Sequence, residues 1–146
     1  MGRRIGLIQW DGESSRAELL HILIEVEPEP RFYKNSFDDA KADPKGRFFG
    51  GTYGITKDTD YIKDNLGALY SGYLSDGTLK KIKKYVSLSN GLAWNKEADT
   101  MYYVDTGTLN IKAYNYSIDT GEISRFQLFN LLWWTDTAYV FKFLPN

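Results

Sequence analysis

Hydrophobic and polar positions along the chain fall into short runs separated by turn-forming residues. Arg4 to Trp10 and His21 to Val26 read as two strands joined by the polar turn Asp11-Gly12-Glu13-Ser14-Ser15. The dense run Leu19-Leu20-His21-Ile22-Leu23-Ile24 also suits a short helix, because such a run has no unique period. Glu27-Pro28-Glu29-Pro30 ends whichever element precedes it, since two prolines continue neither a helix nor a central strand. A strand is predicted over Arg47 to Thr52, after the turn Asp43-Pro44-Lys45-Gly46. Gly67 to Leu74 and Leu79 to Tyr85 form a hairpin about Ser75-Asp76-Gly77-Thr78. Asn90 to Trp94, Thr100 to Asp105 and Ile111 to Tyr116 complete the strands, with a further turn at Asp119-Thr120-Gly121.

The pattern repeats. The segment from Ala40 to Phe49 lies against that from Gly91 through Tyr103, an offset of 51 residues. The segment Leu69 to Gly77 lies against Ala113 to Gly121, an offset of 44 residues, the loop around Ile55 to Asn65 absorbing the difference. A period in the forties, short strands and a polar turn near the end of each unit are the marks of propeller blades. By this repeat Asp39 is equivalent to Asn90, and each should open the innermost strand of its unit.

Composition narrows the class. At 16% aromatic, with 13 Gly, the chain favours strands and turns over helices. A net charge of −1 removes the bulk electrostatic case for nucleic acid or an acidic membrane as partner. Lys80-Lys81-Ile82-Lys83-Lys84 is basic only locally and reads as a solvated strand face or a charged sheet edge. With no Cys, disulfides and thiolate metal sites are excluded. The N-terminus has too short an apolar run for a signal peptide, and no stretch reaches the length of a membrane span. These features lead us to expect a cytoplasmic protein. His21, the single histidine, lies in an apolar strand and is expected to be a core or edge residue rather than a base.

Two segments carry more specific information, Ser89-Asn90-Gly91-Leu92-Ala93-Trp94 and Tyr102-Tyr103-Val104-Asp105-Thr106. With Lys41-Ala42-Asp43-Pro44-Lys45-Gly46-Arg47-Phe48-Phe49-Gly50-Gly51-Thr52, Gly67-Ala68-Leu69-Tyr70 and Thr120-Gly121-Glu122-Ile123-Ser124, they resemble the SMP-30/regucalcin/gluconolactonase family, of regucalcin-like, insect type. The resemblance implies an all-β fold, a fragment of a six-bladed β-propeller amounting to two to three blades of four-stranded antiparallel sheet. It spans residues 1–124, while residues 125–146 read as a non-homologous apolar tail. Open sheet edges and that tail suggest self-association.

The resemblance also implies a chemistry. Asn90 matches the family's metal-ligand Asn, a hard neutral oxygen donor suited to Ca²⁺ and tolerable to Zn²⁺. The ion serves the hydrolysis of sugar lactones such as gluconolactone, by polarising the lactone carbonyl. The family's substrate-binding segment reads Arg-Phe-Asn-Asp-Gly-Lys, against Ser36-Phe37-Asp38-Asp39-Ala40-Lys41 here. Ser36 lacks the planar cationic fork of Arg. Ionised Asp38 accepts hydrogen bonds but cannot donate as an Asn amide does. A substrate-contacting Glu is expected shortly after Thr52 and is absent, with Asp58 a weak substitute. Asp38 and Asp39 are expected either around the channel mouth with Asn90 or as a turn-forming pair. Asp105 is expected to cap a turn rather than bind metal.

Two further family ligands, a Glu from an earlier blade and an Asp from a later one, have no counterpart here, and no catalytic residue is assigned. With one ligand in place, metal affinity is expected on the order of 10⁻³ M or weaker. Three readings follow: a metal-dependent lactonase incomplete in this chain, a non-catalytic calcium-binding or regulatory protein, and an inactive truncated product.

Overall fold

The computed structural model describes residues 2–55 and 62–130, with the backbone alone for Phe129 and Asn130. Asp58 and the tail beyond residue 130 lie outside the described residues. Antiparallel strands make up three sheets. β1 (Arg4–Gln9) pairs with β2 (Glu18–Glu25) as a two-stranded sheet. β3 (Ser36–Ala42), β4 (Phe48–Ile55), β6 (Gly67–Gly72) and β7 (Lys80–Val86) pair in that order, with the short β5 (Ile62–Lys63) on β4. β8 (Ser89–Trp94), β9 (Thr100–Asp105), β10 (Asn110–Tyr116) and β11 (Ile123–Asn130) form the third sheet, again in chain order. The second and third sheets are successive four-stranded blades, and β1–β2 is half of one.

The turns follow the residues that predict them. Asp43 Oδ1 accepts the amides of Lys45 (2.9 Å) and Arg47 (2.8 Å), and Gly46 takes φ +78°. That closes the β3–β4 hairpin. At the β6–β7 turn Gly77 takes φ +68°, a conformation open to glycine. The apolar run Leu19 to Ile24 is strand, because β1 offers it a ladder from Arg4↔Glu25 to Gln9↔Glu18.

Two differences from the sequence expectations bear on the site. The segment Ser36–Ala42, whose Asp pair also suited a turn, is a strand paired with β4, so Asp39 lies within its strand rather than opening it. At the other end, β11 runs from Ile123 to Asn130, six residues past the boundary expected at Ser124, and pairs with β10 throughout.

Two apolar layers hold the blades. Phe49, Leu69 and Val86 from one blade meet Leu92, Met101, Tyr103, Tyr114 and Tyr116 from the next. On the other side Ala68 and Tyr70 meet Ile24 and Val26 at the end of β2. β6 is therefore buried on both faces, which is why Gly67-Ala68-Leu69-Tyr70-Ser71 shows no alternation in polarity.

Two polar clusters tie the same joints. Glu27, 4% exposed and at φ +54°, accepts hydrogen bonds from Asn35 Nδ2 (2.8 Å), Thr52 Oγ1 (3.1 Å) and Tyr70 OH (3.0 Å). The Arg3 guanidinium donates to the Glu27 carbonyl. Between the complete blades, Arg47 Nη1 donates to Asp43 Oδ2 (2.7 Å) and to Tyr116 OH (2.9 Å), and its guanidinium lies over the Tyr73 ring. Buried polar groups so extensively paired fix geometry, since each lost partner would strand a desolvated group, although Asn35 Oδ1 has no partner among the described residues.

Candidate functional site

β3 and β8 are the first strands of their blades, and both are irregular at the same place. In the β3–β4 ladder Phe37 faces Thr52 and Ala40 faces Gly50, so Asp38 and Asp39 together oppose Gly51. In the β8–β9 ladder Asn90 faces Val104 and Leu92 faces Tyr103, leaving Gly91 as the extra residue at φ +48°. Such bulges bend a strand and re-aim its side chains, and they recur beside functional sites. The internal repeat thus extends to backbone geometry.

The two bulges meet. Asp39 Oδ2 accepts the Gly91 amide at 2.9 Å, joining the first strands of the neighbouring blades. A side chain at Gly51 would collide with the Ser89 hydroxyl, so glycine there is what allows β8 to approach β4. Asn90 is half-buried, and its Nδ2 donates to Thr106 Oγ1 at 2.7 Å. That bond fixes the amide orientation and leaves Oδ1 without a hydrogen-bond donor among the described residues. Asp38 is exposed, and partial burial followed by the neighbouring Asp39 charge raises its carboxyl above the usual range. Ser36 is half-buried on β3 with its hydroxyl donating to the Phe37 carbonyl at 3.2 Å.

The bulges therefore bring Asp39 to Gly91, with Asp38 beside it on β3, while Ser36 turns back on its own strand. The oxygen donors are hard and suit a Ca²⁺-like ion, but they are few. Among the described residues no three His, Cys, Asp or Glu side chains are grouped to hold a metal. The donor set fits one side of a site rather than a whole one.

Asp105 lies deeper and belongs to the backbone. Its buried carboxylate accepts the amides of Leu88 (3.0 Å) and Ser87 (3.3 Å), capping the turn into β8. His21 is exposed on β2, opposite Leu7. Sequence reasoning missed Glu27, which it treated as part of a strand terminator. The signal available was a carboxylate between apolar Val26 and Pro28, too weak to separate a buried clamp from a solvated loop.

The family model "SMP-30/Gluconolactonase/LRE-like region" matches residues 1–136. The chain belongs to this family. It is 38% identical to human regucalcin over 90 residues, which are 62% of this chain and 30% of the relative. Among solved structures, a luciferin-regenerating enzyme superposes with a TM-score of 0.73 at 30% identity, over 88% of this chain and 40% of that one. A calcium-binding regucalcin from Agrobacterium tumefaciens superposes at 0.64 with 22% identity, over 85% of this chain and 38% of its own, which shows the shared fold. The chain thus spans at most about two fifths of the proteins it matches, and its open blades are those of a propeller fragment.

Proposed function

We propose that this chain supplies one wall of a metal-dependent sugar lactonase, with Asn90 as a metal ligand and the Ser36–Asp39 segment facing the lactone. The Asp39–Gly91 hydrogen bond carries the reading, because it joins the first strands of two blades at matching bulges. Membership of a family described by gluconolactonase supports the substrate class.

Asn90 Oδ1 is the neutral donor, with its orientation set through Thr106, and Asp39 is the carboxylate bonded to the neighbouring Gly91 amide, with Asp38 next to it on β3. An ion held there, Ca²⁺ or Zn²⁺, would supply polarisation of a lactone carbonyl. Asp38, with its raised pKa, accepts hydrogen bonds from substrate hydroxyls. Completing the coordination shell requires ligands from other blades.

A calorimetric titration of the chain with Ca²⁺ and Zn²⁺ tests the ligand assignment. Binding on the order of millimolar, abolished in Asn90→Ala, is the expected result. Micromolar binding, or binding indifferent to Asn90, would sink it. The activity is tested in a chimera in which these blades replace their counterparts in a complete regucalcin. Metal-dependent opening of gluconolactone, weakened by Asn90→Ala, supports the lactonase reading.

A second reading, calcium binding without hydrolysis, is favoured by one feature. Ser36 and Asp38 give the substrate side no cationic fork, and the Ser36 hydroxyl is already engaged. Calcium binding by the chimera with no lactone turnover would select it.

A further inference from the structure

Away from the channel mouth, two lysines enter the seam between the complete blades from opposite sides. Lys83 on β7 is the cross-strand partner of Leu69, and such partners share a face of the sheet. Leu69 lies in the inter-blade core, so Lys83 faces the next blade. Lys112 on β10 is the partner of Tyr103 and stands two residues from Tyr114, both in the same core. It therefore faces back towards Lys83.

Among the described residues neither ammonium has a counter-ion. Lys112 is 8% exposed, and the one hydrogen bond of its ammonium among the described residues, to Thr108 Oγ1, is 3.5 Å long. No carboxylate lies within ion-pair distance of either lysine among the described residues. The Asp105 carboxylate is turned to the Ser87 and Leu88 amides. Burial, and then the Lys83 charge, lowers the Lys112 pKa, with Asp105 opposing. A desolvated cation pressed by a second cation is costly unless a charge of opposite sign joins them.

We infer that the Lys83–Lys112 seam binds a small oxyanion, of the phosphate or carboxylate class, between the two ammonium groups. The anion bridges β7 of one blade and β10 of the next, on the core face rather than at the channel, so the site is independent of the lactonase reading. It would stiffen the joint between blades, in the way a further salt bridge beside Lys45–Asp119 and Lys80–Glu122 would.

The test is calorimetric titration of the chain with inorganic phosphate and, separately, with acetate, at constant ionic strength. Lys83→Met and Lys112→Met are titrated alongside, with near-UV circular dichroism as the check on folding. Binding of either anion is expected, weakened about tenfold or more in each variant, as loss of one charge-assisted hydrogen bond implies. Which anion binds identifies the source of the oxyanion. Should Lys112→Met fail to fold, half-buried Lys83 still reads the site. Absence of binding by both anions overturns the inference and points to Lys112 as a neutral amine. Binding equal in wild type and both variants, an adventitious ion only, overturns it as well.

Discussion

The seam between the two complete blades and the two-stranded β1–β2 sheet are built from equally apolar sequence but end in opposite states. In the seam Phe49, Leu69, Val86, Met101 and Tyr103 are all fully buried. On β1–β2, Leu7, Ile8, Leu19 and Leu20 are each more than 40% exposed. The difference is not propensity, because both regions form strands with good ladders. A blade buries a face only where another blade stands beside it, so apolar residues become core through their neighbour. Only the Ile5–Ile24 end of this sheet shares in that burial, where Ile24 and Val26 meet Ala68 and Tyr70 and Ile5 packs against them.

The largest way to sharpen this contrast is to cut the same kind of side chain from both regions. Phe49 packs edge-to-face on Trp94 at 5.1 Å and on Tyr116 at 5.9 Å. Phe49→Ala is expected to cost about 3–5 kcal/mol by the cavity it leaves. Leu19→Ala should stay within about 0.5 kcal/mol, since its side chain is half in water already. Denaturant melts of the two variants measure both, and equal losses would break the comparison.

Charge pairs repeat the contrast. The Arg47–Asp43 pair lies in the seam with side chains 8% and 0% exposed, whereas Lys45–Asp119 is 46% and 84% exposed. Asp43→Asn keeps an oxygen for the turn amides but leaves the Arg47 cation buried without its counter-charge. A loss of about 3–5 kcal/mol is expected. Asp119→Asn should cost no more than about 1 kcal/mol, and less at high salt. A salt-sensitive Asp43 variant would mean the seam is wetter than its packing indicates.

Alkaline pH probes the seam without mutation. Burial raises the phenol pKa of Tyr103, Tyr114 and Tyr116, and that of Tyr70 in the second layer. The Glu27 carboxylate adds to the shift at Tyr70, and the Asp43 carboxylate at Tyr116. Unfolded, these phenols ionise near pH 10. A folded pKa above the unfolded one means the native state holds its protons longer, so this stability is complete below about pH 10 and falls as pH rises beyond it. Thermal melts at increasing pH should show Tm dropping from about pH 10, with these phenols ionising only on unfolding by ultraviolet difference spectroscopy. Smooth ionisation in the folded protein would show that the seam opens.

Much of this was legible from one sequence. The Asp43 turn and the β6–β7 hairpin rest on local pattern, and local pattern survives folding. The equivalence expected of Asp39 with Asn90 is off by one, because Phe37↔Thr52 matches Ser89↔Asp105 and Ala40↔Gly50 matches Leu92↔Tyr103. That sets Asn90 at the place of Asp38 and Gly91 at that of Asp39. What stayed hidden depends on which face a residue takes. Lys80-Lys81-Ile82-Lys83-Lys84 reads as a solvated face, and Lys80, Lys81 and Lys84 are indeed exposed. Between Lys81↔Tyr70 and Lys83↔Leu69, however, Ile82 is an extra residue, and that slip turns Lys83 into the seam. A one-residue irregularity reverses every side chain after it, and nothing in the five residues announces it. Glu27 was hidden for a related reason, since its partners Asn35, Thr52 and Tyr70 are brought to it by three separate segments.

The smallest expected effect separates the channel mouth from both of these regions. Asp38 sits beside Asp39 on the β3 bulge with its pKa raised, so ionisation of Asp38 opposes folding at neutral pH. Asp38→Asn removes that charge and should stabilise the chain. The gain is limited to a few tenths of a kcal/mol, roughly, because water screens so exposed a carboxylate. Its pH dependence carries the sign. Above the raised folded pKa the penalty is whole, and as pH falls through that pKa and then below the unfolded value it disappears. The variant's advantage should therefore be present at pH 7 and absent below about pH 4, where the wild-type carboxyl is protonated in both states. Added Ca²⁺ should shrink the advantage if Asp38 lies beside the ion, because a bound cation favours the carboxylate. An advantage that calcium leaves unchanged would place Asp38 on the bulge for the strand's sake, and leave Asn90 alone to speak for the metal.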